Sequence, residues 1–221
     1  MSSLVDLSHV VANGTVTYPG LPVPVISDHL SRDASRTRYA PGTEFQIGRI
    51  DMVANTGTYV DAPFHRYADG ADLAGLGLDL LADLDGVVVR CTGRAAPAID
   101  EGAFASTEVV GRAVLVHTGW DRHWGSPAYG VGHPFLTRAA AEHLVGSGAK
   151  LVGIDSLNID DAADGTRPAH TLLLGAGIPI VEHLTRLEQL PDSGFRFFAV
   201  PPMVRGMGSF PVRAFAITGA R

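Results

Sequence analysis

The sequence predicts a single α/β domain spanning residues 1–221, and three observations carry that prediction. Six short apolar runs recur along the chain, each bounded by Gly, Pro or charge, as buried strands are. Between two of them lies a segment with helical spacing that feeds directly into the next run, an alternation that favours α/β over all-β. No internal repeat, low-complexity tract or long Pro/Gly/Ser-rich linker divides the chain. The 26 glycines and 14 prolines make up roughly 18% of it, against about 12% in average usage, so many turns are expected between short strands.

Taken in order, Phe45 to Val53 reads as a strand that runs into a turn-rich stretch. Leu73, Leu76, Leu80, Leu81 and Leu84 fall at helical spacing and predict a helix over 73–84, with Gly70, Gly75 and Gly77 weakening its first half. Val87 to Val89, Ala113 to Val116, Leu151 to Ile154, Ile178 to Val181, Phe197 to Val200 and Ala214 to Ile217 are the six strand-like runs. Leu136, Ala139, Ala140, His143 and Leu144 predict the helix that precedes the Leu151 run. Thr137 is placed to cap its start, and Gly146 and Gly148 to end it.

Composition narrows the function. With 17 basic and 23 acidic residues the net charge is -6, and the basic residues are scattered, so no positive field exists to hold nucleic acid or an anionic membrane. No stretch approaches the ~18 apolar residues of a membrane span. The first residues lack the basic start and apolar core of an export signal. One cysteine, Cys91, excludes an intrachain disulfide and a multi-thiolate zinc site, and reads as a buried inert thiol. A cytoplasmic protein acting on a small molecule is the expectation. Nine histidines are more than the size requires.

Two segments carry candidate chemistry. Asn55 to His65 sets Asp61 and His65 beside Gly57 and Pro63, which fix an irregular backbone path. A carboxylate and an imidazole on such a loop form a catalytic pair, or the Asp caps its own turn. Downstream, His170 and Glu182 flank an apolar stretch that must be buried. A carboxylate at the end of a core strand is costly unless paired, hydrogen-bonded or bound to a metal, so Glu182 reads either as a metal ligand or as half of an ion pair with an arginine.

Together the two segments resemble the cyclase family that includes bacterial kynurenine formamidase and isatin hydrolase, with its signature His-x-Gly-Thr-His-x-Asp-x-Pro-x-His. The likeness spans nearly the whole chain, through Val5 to Ser8, Tyr18 to Gly20, Asn55 to His65, Thr118 to Trp120 and His133 to Leu136. It continues through Gly153 to Ser156, His170, Gly175 to Ile178, Glu182 and Gly208 to Arg213. The resemblance implies a fold of the swivelling β/β/α type and a homodimer or larger homo-oligomer. It implies metal binding by the two signature histidines and the Asp, with a second metal held by the Asp, the downstream His and the Glu. The last signature His serves as base or proton shuttle. Asp61, His65, His170 and Glu182 match this pattern, but the two signature histidines are replaced by Asn55 and Tyr59.

That replacement weakens the first metal site, since an amide oxygen is a poor ligand and a Tyr would have to ionise. One divalent metal, zinc or manganese, on Asp61, His170 and Glu182 is the expectation that remains, with a metal-free protein as the alternative. The leading function is hydrolysis of an amide or cyclic amide bond in a small aromatic substrate, with His65, Asp61 and Tyr59 catalytic. Asn55, Tyr59, Trp120 and Phe64 would contact substrate. The alternatives are a metal-independent cyclase or dehydratase of natural-product biosynthesis using His65, Asp61 and Tyr59, and an inactive relative acting as a binding protein. His9 and His117 read as lying behind the site or as structural; His29, His123, His143 and His183 as surface or structural; and His133 as part of a turn. Asp155, Asp160 and Asp161 read as loop residues near the pocket or as turn caps.

Overall fold

The computed structural model describes residues 2–219. In chain order the strands are β1 (Ser3–Asp6), β2 (Val25–Leu30), β3 (Ile47–Asp51), β4 (Tyr59–Asp61), β5 (Leu84–Arg90), β6 (Ala98–Ile99) and β7 (Ala113–His117). They continue with β8 (Phe135–Leu136), β9 (Leu151–Ile154), β10 (Ile180–Glu182), β11 (Ser193–Phe198), β12 (Ser209–Pro211) and β13 (Phe215–Thr218). The α-helices are α1 (Arg32–Ser35), α2 (Arg138–Gly146) and α3 (Pro168–Gly175).

Nine strands form one mixed sheet in the order β1-β13-β11-β5-β7-β9-β10-β4-β12. Its centre, β5-β7-β9-β10, is parallel, and the strands outside it on both sides are antiparallel. A parallel centre is covered on both faces, which is why its strands read as unbroken apolar runs. Val87, Val89, Val114, Val116, Val152 and Ile154 face one way, into a core shared with Ala140, Ala141 and Leu144 of α2 and Leu173 and Leu174 of α3. Val88, Ala113, Leu115, Leu151 and Val181 face the other way, into a second core. That second core takes Val60 and Ala62 from one end of the sheet and Phe195, Phe197 and Ala216 from the other. Elements so far apart in strand order share one core because the sheet curls, the mixed α/β architecture expected from the sequence.

All six apolar runs overlap strands, three of them only in part, and α2 starts where expected: the Thr137 hydroxyl accepts from the Ala140 amide at 3.2 Å. The helix expected over 73–84 does not form. A single 3-10 turn covers Leu78–Leu80 and β5 begins at Leu84. The Asp72 carboxylate instead accepts from the Gly75 and Gly206 amides, tying the segment to a distant loop. Leu73, Leu81 and Leu84 are buried all the same, so their spacing records burial rather than helix. No helix among the described residues is long and apolar enough to cross a membrane.

Candidate active site

β4 lies between β10 and β12, with Tyr59 opposite Glu182 and Pro211, and Asp61 opposite Ile180 and Ser209. Strand side chains alternate, so Val60 enters the second core while Tyr59 and Asp61 face the opposite side with Glu182. Past β4, the 3-10 turn Pro63–His65 supplies His65, and α3 supplies His170. The backbones approach closely here: a Cβ on Gly208 would sit 2.3 Å from the His65 amide nitrogen, so glycine is required where β12 meets this turn. Asn55, Tyr59, His65, His170 and Glu182 line one cavity of about 360 Å³, with Tyr18, Arg66 and Arg167 also on its wall.

Asp61 is fully buried. Its Oδ1 accepts a short hydrogen bond from the Ser209 hydroxyl, and the Ser209 oxygen lies 2.9 Å from His65 Nδ1. Because the hydroxyl gives its one proton to Asp61, it accepts from Nδ1–H of His65. That leaves Nε2 as the basic nitrogen. Burial pushes the Asp61 carboxyl up, but the His170 contact, the His65 charge and the Ser209 bond outweigh it and hold the group below its ordinary value.

His170 is oriented from behind. Its Nδ1 lies 2.7 Å from Asp160 Oδ2, and Asp160 also accepts from the Ala169 and His170 amides. A carboxylate behind a histidine fixes ring and tautomer in the way metal-binding histidines are commonly fixed. Nε2 is thereby aimed between Asp61 Oδ2, at 3.6 Å, and Glu182 Oε1, at 3.9 Å. Burial lowers its basicity, but Asp160, Asp61 and Glu182 raise it further, to about 10. Asp61 Oδ2 is buried without a hydrogen-bond donor.

Those features test the site for a divalent cation, and the donor set fits: an orphaned carboxylate oxygen beside an imidazole nitrogen locked toward it. Atoms of Asp61, His65 and His170 lie within 4.8 Å of one another. Glu182 adjoins through His170, and both of its oxygens are engaged. Oε1 accepts from the Ile159 amide at 2.6 Å and Oε2 from the Tyr59 hydroxyl at 2.5 Å. Burial, with Asp61 adding to it against His170, raises Glu182 to about 7. Burial first, then the Glu182 and Asp61 charges, hold Tyr59 protonated, while an Asn55 contact moderates the shift. The two positions at which the chain departs from the family signature thus interact with each other, and Tyr59 closes onto Glu182.

Of the other expected substrate contacts, Trp120 lines a separate cavity with Cys91, Arg94 and Arg122 and donates Nε1–H to the Tyr129 carbonyl. Phe64 is half-buried and is not part of the His65 cavity. Cys91 is buried and burial raises its thiol to about 11, which keeps it inert. His183 is fully buried, 5.2 Å from the Tyr59 ring, with Nδ1 on the Tyr129 hydroxyl. Sequence reading missed Ser209, although it lies inside the Gly208 to Arg213 match, and missed Arg66 and Arg167, which no spacing distinguishes from surface arginines.

Residues 5–161 match the sequence model of the family described as "Putative cyclase". A kynurenine formamidase of Geobacillus thermodenitrificans is 32% identical over 183 residues, covering 81% of this chain and 84% of the relative. One from Bacillus cytotoxicus is 27% identical over 213 residues, 96% of each chain. The crystal structure of an isatin hydrolase bound to the product analogue thioisatinate superposes with a TM-score of 0.85 at 23% identity, over 99% of this chain and 93% of the other. A match running continuously from Val5 to Asp161, joined to relatives of equal length and the same curled sheet, places the chain in the cyclase family of enzymes.

Proposed function

We propose that the chain is a cytoplasmic hydrolase acting on an amide or cyclic amide bond of a small aromatic substrate. The observation that carries this reading is that the Asp61–Ser209–His65 relay and the Asp61–His170–Glu182 cluster share Asp61 and present His65, His170 and Glu182 to one cavity. Its relatives named kynurenine formamidase support the reaction class. In this reading Asp61 and His170 hold a zinc or manganese ion with Glu182 beside them. When bound, the ion supplies charge that lowers the pKa of a coordinated water toward neutrality and polarises a carbonyl. His65 Nε2 takes the proton as water adds to the amide carbon and delivers it to the departing nitrogen. Ser209 and Asp61 hold the His65 tautomer throughout, and Asn55 meets the substrate on the cavity wall.

Protein purified without chelator is expected to hold about one zinc or manganese per chain and to hydrolyse aryl formamides. His170→Ala should lose both metal and turnover. His65→Ala should keep the metal while losing about 10²- to 10⁴-fold in turnover; loss of the metal with it would make His65 a ligand instead. Metal-free protein that works in EDTA would overturn the metal part of the reading. It would favour the second one, an acid–base cyclase or dehydratase of natural-product biosynthesis, which the closure of Tyr59 onto Glu182 supports.

A homo-oligomer is also proposed, on the β2–β3 hairpin. Every residue of its two strands except Leu30 is exposed, including the cross-strand pair Ile26 and Ile50. A two-stranded hairpin is marginal in water by itself, and a second copy of the chain is the partner proposed to cover it.

A further inference from the structure

His65, His170 and Glu182 line the cavity on one side, and Arg66 and Arg167 stand on its wall. Arg36, Arg90, Arg94, Arg138, Arg196 and Arg213 each form an ion pair with an Asp or Glu. Arg66 and Arg167, like seven other described arginines, form none with any described carboxylate; they are the two that line this cavity, and both are held by neutral groups. Arg66 donates Nε–H to the Thr171 hydroxyl at 3.3 Å and lies 5.1 Å over the Tyr67 ring; the Tyr67 hydroxyl is itself anchored on the Thr171 carbonyl at 2.8 Å. Arg167 enters α3 in the left-handed region at φ 46°. Its Nη1 donates to the Asp161 carbonyl at 3.0 Å and reaches Asn158 Oδ1 at 3.5 Å. The acidic neighbours in its loop are engaged elsewhere, Asp161 with the Ala163 amide and Asp164 with Thr166.

Two guanidinium groups oriented by neutral partners keep their charge and several N–H donors for something else. Their fork geometry matches a carboxylate, which accepts two parallel hydrogen bonds from such a group. A carboxylate held at the arginines leaves the neutral amide of the same substrate free to reach His65, which lines the same cavity. We propose that Arg66 and Arg167 form a carboxylate clamp, and that the substrate is an aromatic carboxylic acid bearing the amide bond to be cleaved. The clamp names the substrate class of the hydrolase reading and rests on it for the identity of the reacting bond. A cavity of about 360 Å³ lies at the small end of the range for small-molecule sites and suits a compact aromatic acid.

The test compares hydrolysis of 2-, 3- and 4-formamidobenzoate with that of formanilide, which has the same formamide and no carboxylate. The best formamidobenzoate is expected to exceed formanilide by about 10- to 100-fold in kcat/KM, mainly through KM. That ratio should collapse toward unity in Arg66→Met/Arg167→Met. Lys replacements, which keep charge and lose the fork, should fall between and serve if the Met variants melt early. Formanilide turned over as well as every formamidobenzoate, or a ratio unchanged in the variants, overturns the clamp and leaves the hydrolase standing. If no formamide is hydrolysed, calorimetry with 2-, 3- and 4-aminobenzoate separates the two ideas. Binding weakened at least 10-fold by the double variant keeps the clamp while the hydrolase reading falls. Absence of binding, or binding indifferent to the arginines, removes the clamp as well.

Discussion

Tyr59 stands where the family signature has a metal-binding histidine, and its hydroxyl satisfies Glu182 Oε2 at 2.5 Å. Tyr59→Phe removes the donor and strands a buried carboxylate oxygen. The expected cost is about 1–3 kcal/mol of stability, read by urea denaturation; a change within error would mean that another donor takes the place of the hydroxyl. The buried imidazoles set a second expectation. Burial lowers His183 to about 3, with the His9 charge adding, and lowers His9 to about 4 despite Asp121. Both values lie below the unfolded pKa of ~6.5, so the native state takes up protons less readily than the unfolded chain. Their contribution to stability is complete above pH ~6.5 and is lost as the pH falls toward 4 and then 3. His183 is in the left-handed region at φ 56°, which Asn tolerates. His183→Asn is expected to flatten the fall of melting temperature between pH 6.5 and 4, and an unaltered slope would exclude His183 as its source.

Elements were legible in proportion to how completely they are buried. The central strands are covered on both faces, so nearly every residue of β7 and β9 is apolar and the runs stand out. Burial also misled, because the leucines over 73–84 line the second core from turns, and only the Asp72 contacts with Gly75 and Gly206 account for the missing helix. The α3 segment went unread as a helix, although Pro168 at its start and Gly175 at its end are the expected punctuation. Its single turn toward the cavity is what brings His170 to Asp61. The β2–β3 hairpin is the element with least support inside the chain. Ile26→Asp/Ile50→Asp places two acidic side chains opposite each other across the strands; by light scattering the unaltered chain is expected to be a dimer or larger and this variant a monomer. An unchanged mass would move the oligomer contact elsewhere.

For the whole molecule, the curl of the sheet is decisive. It lets β4, at one side, be flanked by β10 and β12, so that residues 59, 61, 182 and 209 share one face, while α3 and the 3-10 turn after β4 close over them. A cation held there binds the folded state and not the unfolded chain, and at 100 times its Kd it contributes about 2.7 kcal/mol. EDTA is therefore expected to lower the melting temperature, and added zinc or manganese to restore it; a melt indifferent to both would argue for the metal-free reading. The sequence alone determined the α/β class, the family, and the presence of Asp61, His65, His170 and Glu182, because a period of apolar residues and an ordered set of motifs are properties of the chain in one dimension. It also showed that Asn55 and Tyr59 break the signature. Only the tertiary structure decided what that break does, since the Tyr59–Glu182 bond joins residues 123 positions apart through strand register. The same holds for the Ser209 link between Asp61 and His65, and for the two arginines brought to the cavity wall: each depends on what stands opposite in space, and one-dimensional spacing carries no record of that.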